Sequence, residues 1–155
     1  MNSTLAGSLA GFAATAPMTA VMLALHRRLP QWERYPLPPR QITMKVADQA
    51  GVKHEMDEDQ RTAATYAAHF GYGLGAGALY GLLAPHLPGA PAAKGVGFGL
   101  AVWAGSYLGW LPAANVLPPA TDEPAERNAV MIAAHLVWGA ATGVLTEALG
   151  DRRSS

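Results

Sequence analysis

Two histidines set deep in apolar sequence are the residues of this chain best placed to do chemistry. Each follows an arginine by eight residues and precedes two glycines at four-residue steps, giving Arg61-x7-His69-x3-Gly73-x3-Gly77 and Arg127-x7-His135-x3-Gly139-x3-Gly143. Aligned on the histidines, residues 61–79 and 127–145 also match at Ala63 with Ala129, Ala67-Ala68 with Ala133-Ala134 and Leu79 with Leu145, and Tyr72 falls opposite Trp138. Alanine and glycine matches carry little weight in a chain rich in both. The arginine, the histidine and the aromatic keeping step with the glycines read as an internal duplication.

In a helix, each histidine sits about 12 Å from its arginine. With the arginines at a membrane interface, both imidazoles lie inside the hydrocarbon, where ionisable groups are uncommon and mark functional sites. Three kinds of chemistry fit. A neutral imidazole can donate one structural hydrogen bond to a neighbouring helix, with Thr15, Thr19 and Ser106 as candidate partners. Imidazole also titrates close to neutrality, so two at one depth form a proton-handling or pH-responsive pair whose members repel when both are charged. Arg61 and Arg127, flanked by Asp57, Glu58, Asp59, Glu123 and Glu126, then form an acidic mouth or serve as plain interfacial anchors. Finally, two histidines on facing helices suit bis-histidine ligation of a b-type haem, with Gly73 and Gly139 clearing room for the macrocycle.

No other cofactor is expected. His26, His54 and His86 lack metal-ligand spacing and read as surface residues, Glu33 and Glu147 as lone carboxylates, and the glycines at 71–77 have no strand before them to make a dinucleotide fingerprint. Nothing here points to an enzyme.

The elements that must hold these histidines are legible from charge. Half of the residues are hydrophobic and 14% are charged, against about 25% in soluble domains. Net charge is zero, so no basic excess suggests nucleic acid, and without cysteine there are no disulfides or thiolate sites. The first dozen residues lack the basic start of a secretory signal and read as a retained span. No Asp, Glu, Lys or Arg occurs in 1–26, 62–93, 95–121 or 128–146, and more than half of the charged residues crowd into 27–61. Each clear stretch is long enough for a hydrocarbon core of about 30 Å. Four transmembrane helices are expected, near 4–26, 61–84, 94–113 and 126–147. A soluble helical bundle is the alternative, but it needs polar helix faces that these segments lack.

The expected fold is therefore all-α: four transmembrane helices in two pseudo-symmetric hairpins within one membrane domain, 1–155. Unit one covers 4–88 with an interfacial loop at 29–60, and unit two covers 92–149. Each unit has an entering helix, a Leu-Pro-Pro turn (37–39 and 117–119) and a histidine-bearing return helix. Two helices per unit keep both copies in one orientation, related by a pseudo-twofold along the membrane normal. Pro17 should kink the first helix. Trp32 and Tyr35 suit the headgroup level. The prolines in 35–40 argue against helix there, and 41–52, with Ile42, Val46 and Ala50 four apart, reads as an amphipathic surface helix. Asp57 or Asp59 should cap the second long helix and Thr121 or Asp122 the last, which starts at Pro124. Gly73, Gly77, Gly139, Gly143, Gly105 and Gly109 read as helix-packing positions, because small residues let membrane helices approach closely. Eight Lys and Arg on the long-loop side, against Lys94, Arg152 and Arg153 on the other, place loop 27–60 in the cytoplasm and both termini in the periplasm.

With these features in hand, and with the stretch TYAAHFGYGLGAGALYG, the chain resembles the YagU-type family of small bacterial inner-membrane proteins. The specific match is Pro-Leu-Pro-Pro-Arg at 36–40 and the alanine-histidine helix starts around 69 and 135. The resemblance implies an inner-membrane location and an association with acid resistance, which favours the proton reading, and it supplies no catalytic residues. The expected function is that of a small non-enzymatic polytopic membrane protein that responds to pH through His69 and His135. The alternatives are an accessory subunit docking onto a larger membrane complex or a homo-oligomer through its glycine faces, and a bis-histidine haem protein. Beyond these, the lipid bilayer is the expected partner, and nucleic acid is not.

Overall fold

Charge-free sequence capped by polar residues becomes long helix. The computed structural model describes residues 1–151, and all regular structure among them is helical. Five helices carry the fold: α1 (Ser3–His26), α2 (Pro38–Gln49), α3 (Glu58–Leu83), α4 (Pro91–Ala104) and α5 (Ala125–Asp151). Beyond Ala104 the α4 axis continues as a π-helical stretch, Gly105–Trp110, and one last turn, Leu111–Ala113.

The caps explain most boundaries. Asn2 accepts the Leu5 N–H at 2.8 Å to start α1, which then runs on through Pro17. Asp57 and Gln60 form a reciprocal capping box at the head of α3. Two expectations are corrected. Helix α2 begins at Pro38, so the prolines of 36–40 do not keep the segment out of helix. Pro38 and Pro39 occupy the first turn, where an amide N–H is not needed. Thr121 and Asp122 lie in a separate 3-10 turn, Ala120–Asp122, and the Thr121 hydroxyl donates to Asp122 at 3.3 Å.

Packing follows the glycines. Helix α1 lies antiparallel on α3 with backbone against backbone: a Cβ on Gly7 would strike the Gly77 carbonyl oxygen, one on Gly11 that of Gly73, and one on Gly81 that of Ser3. Helices α4 and α5 meet in the same manner. Gly95 and Gly139 would each strike the other's carbonyl oxygen, Gly99 that of His135 and Gly143 that of Pro91. Larger side chains join the two pairs, with Ala14, Met18 and Met22 of α1 packed among Val130, Met131, Ala134 and Trp138 of α5. The Trp138 indole N–H donates to the Gly11 carbonyl at 3.0 Å. The helices thus adjoin in the order α3, α1, α5, α4, and α3 barely touches α4.

Gly105 and Gly109 do not pack. A Cβ at either meets nothing, as at Gly71, Gly75 and Gly97. Small-residue spacing identifies a stripe but not the side of the helix that faces a partner.

Among the described residues two helices, Ser3–His26 and Ala125–Gly150, are long and apolar enough to cross a membrane, each with mean hydropathy 1.6. Four were expected. The 26 residues of α3 are diluted by glycines, tyrosines and a polar first turn, and the regular part of α4 is 14 residues long. Leu5, Leu9 and Phe12 on α1, Leu79 and Leu82 on α3, Leu100 on α4 and Val144 on α5 all point outward. Arg152 and Arg153, counted in the charge asymmetry, lie outside the described residues.

Replacing Gly77 or Gly139 by leucine forces the paired backbones apart and should lower stability by about 1–3 kcal/mol. Gly71→Ala and Gly97→Ala, at open positions, should stay within about 0.5 kcal/mol of the parent. Unfolding titrations in mixed micelles compare the four variants directly.

Candidate functional site

The gap between α3 and α4 is a cavity of about 190 Å³. Helix α3 contributes His69 and Tyr72, the π-helical stretch contributes Ser106, Tyr107 and Trp110, and α5 contributes Met131, His135 and Trp138. Thr15 and Met18 of α1 form its floor, and Ile42 and Thr43 of α2 close the loop-side end. His69 and His135 therefore face one space, from helices that never touch each other through their glycine stripes. Single π-helical turns recur at functional sites; this one brings a hydroxyl, a phenol and an indole to the same wall.

The two imidazoles differ in what holds them. His135 is 6% exposed, and its Nδ1 lies 2.7 Å from the Met131 carbonyl. A carbonyl only accepts, so Nδ1 carries the proton and the neutral ring keeps a lone pair at Nε2. The Tyr107 ring stands edge-on to His135 at 5.9 Å. The His69 Nε2 is buried and has no hydrogen-bond partner, an unusual state for a buried polar atom. The expected bonds to Thr15, Thr19 and Ser106 do not form. Thr15 and Thr19 donate to carbonyls four residues back on α1, at 2.8 and 2.7 Å. Ser106 is taken by the Tyr72 hydroxyl at 3.0 Å and by the Trp110 indole N–H at 3.3 Å. Tyr72 also stacks on Trp110 at 6.5 Å, so one tyrosine spans the gap between α3 and α4.

The two arginines lie outside this cavity and fasten loops. Arg127, 5% exposed, donates from Nη1 to the carbonyls of Glu33 at 2.7 Å and Tyr35 at 3.2 Å, and from Nη2 to that of Pro36 at 3.1 Å. Its Nε pairs with Glu123 at 3.3 Å, and its guanidinium lies 3.5 Å above the Tyr35 ring. The Tyr35 hydroxyl donates to Glu123 at 2.5 Å; burial, then this bond, push its pKa above the ordinary phenol value. Arg61 reaches one loop carbonyl, that of Lys53, at 3.1 Å. Of the acidic residues around the arginines, Glu123 pairs with Arg127, Asp57 caps α3 and Glu58 holds Arg40 at 2.7 Å. His26, read as a surface residue, bonds the Tyr35 carbonyl at 3.2 Å, and Glu33 is a buried carboxylate, 7% exposed, with Oε2 unpartnered.

The repeat alignment singled out Tyr72 and Trp138 without assigning them to a site. Ser106 was expected as a histidine partner, whereas Tyr107 and Trp110 carried no signal, because the π-helical stretch that brings them to the cavity has no sequence signature here.

Fold and cavity together define a small all-helical chain with two membrane-length apolar helices around a histidine-lined pocket. The family model described as Family of unknown function (DUF6789) matches residues 1–155, and the chain belongs to that family. No curated protein and no solved structure matches it.

Removing the buried Arg127 guanidinium strands Glu123 and three loop carbonyls. Arg127→Ala should cost about 3–5 kcal/mol, and Arg61→Ala, which frees one carbonyl, about 1–3 kcal/mol. Denaturant midpoints in mild detergent measure the difference.

Proposed function

We propose that this chain is a non-enzymatic polytopic protein of the bacterial inner membrane in which His69 and His135 act as one pH-responsive pair. The observation that carries the reading is their shared cavity, where the His69 Nε2 lacks a partner and the His135 Nε2 is left as an acceptor. Outward leucines on α1 and on the charge-free stretches of α3 and α4 support four membrane spans, and the charge asymmetry of the loops supports a cytoplasmic 27–60 segment. A duplication of two hairpins, α1 with α3 and α4 with α5, is supported by the way Gly73 and Gly77 meet α1 just as Gly139 and Gly143 meet α4.

Protonation of either ring places a charge among apolar and aromatic walls, where an unpaired ion is costly. A second proton adds repulsion between the rings. At His135 the incoming proton binds Nε2, since Nδ1 already carries one. The strain is relieved by admitting water or by parting α3 from α4, which the Tyr72–Ser106 hydrogen bond holds together. A link to acid resistance, implied by the YagU-type resemblance, agrees with such a response.

A haem is a poor match to the cavity. Small-molecule sites occupy about 300–1,000 Å³, and a porphyrin between these histidines requires α3 and α4 to separate. The accessory-subunit reading draws support from Gly71, Gly75 and Gly97, which leave open notches on the outer helix faces. It predicts a stoichiometric complex on purification in mild detergent.

Because the chain has no cysteine, spin labels at Gly71→Cys on α3 and Leu108→Cys beside the cavity report only the chosen sites. Acidification from about pH 8 to about pH 3, which runs well below the ordinary imidazole range, should lengthen and broaden the distance distribution between them. The change should vanish in the His69→Ala, His135→Ala double variant. An unchanged distribution in the parent protein contradicts the reading.

A further inference from the structure

The cavity has properties that select a ligand. It carries no Asp, Glu, Lys or Arg on any wall, so it suits a neutral molecule. An engineered apolar cavity of about 150 Å³ admits benzene, so about 190 Å³ has room for one substituted ring. Tyr72, Tyr107, Trp110 and Trp138 supply flat aromatic walls. At the rim, Tyr72 and Trp110 are 48% and 45% exposed. They stand between charge-free stretches of α3 and α4, so the opening faces lipid when these helices span a bilayer.

The polar atoms are few and differ in role. The His69 Nε2 has no protein partner and can donate. The His135 Nε2 has its proton on the opposite nitrogen and accepts. A ligand that offers carbonyl oxygens in one form and hydroxyls in another satisfies both.

We infer that the cavity binds the head group of a membrane quinone or quinol, with its isoprenoid tail leaving between α3 and α4 into the bilayer. A quinone carbonyl accepts from His69, and a quinol hydroxyl donates to His135. The inference rests on the membrane reading and on the shared cavity of the proposed function, and it concerns binding alone. A fatty acid would bring a carboxylate into a space with no fixed cation. A straight-chain alcohol would fill the volume but leave the aromatic walls without a stacking partner.

The test is a titration of the purified full chain in mild detergent with decyl-benzoquinone, read by quenching of tryptophan fluorescence, with decanol as the control. Saturable quenching near one quinone per chain is expected, with no displacement by equimolar decanol. His69→Ala should weaken binding about tenfold, equivalent to about 1.4 kcal/mol. Ala68→Phe, at an exposed position on the rim, should block entry without disturbing the helix contacts. Non-saturable quenching, equal displacement by decanol, or identical titrations for the parent and both variants overturns the inference. A spin-label response to pH that persists without quinone binding leaves the histidine pair standing and removes only the ligand.

Discussion

Direct contact between glycine backbones is the constraint on which the rest of this structure depends. Helix α1 can lie on α3, and α4 on α5, only because Gly7, Gly11, Gly73, Gly77, Gly95, Gly99, Gly139 and Gly143 carry no Cβ. In water, that many glycines would weaken helices by up to about 1 kcal/mol each relative to alanine. In a bilayer, apolar surface gives no drive for helices to associate, and close packing of small residues takes its place. The glycine stripes therefore decide which helices pair and how closely.

The cavity is a consequence of that pairing. Glycine contact makes two thin helix pairs, and methionines and Trp138 join them chiefly through α1 and α5. The outer helices α3 and α4 have little backbone contact and are bridged by side chains, Tyr72 to Ser106 at one end and Tyr80 to Phe98 and Pro91 at the other. His69 and His135 project into the space this creates in step with the glycines of their own helices, and Gly73 itself lines the cavity. A histidine and its two glycines at four-residue steps are thus parts of one device: the glycines fix the helix, and the fixed helix aims the imidazole.

Much of this was legible in the sequence. The charge-free stretches located the apolar bodies of α1, α3, α4 and α5, although α3 and α5 begin inside the flanking charge, at Glu58 and just before Glu126. The Arg-His-Gly-Gly pattern marked both histidines and four of the packing glycines, since its spacing keeps a stripe on one helix side. The assignment failed where the side of the helix mattered. Gly105-x3-Gly109 has the same spacing but lies in a π-helical stretch, with its glycines open. The role of Arg127 was equally hidden: its partners at 33, 35 and 36 lie more than ninety residues away, and no local pattern announces that pairing. Pro38 and Pro39 misled because proline breaks a helix interior but opens a helix well.

The central claim is that His69 and His135 share one environment and so titrate as a coupled pair. It is tested most directly by nitrogen-15 NMR of the histidine side chains in lipid bilayers, followed over pH in the parent protein, His69→Ala and His135→Ala. The account predicts that His135 begins as the Nδ1–H tautomer and that removing either histidine shifts the titration of the other, with shifts of equal size because coupling is reciprocal. Titrations that stay the same when the other histidine is removed, or a His135 found as the Nε2–H tautomer, would contradict it.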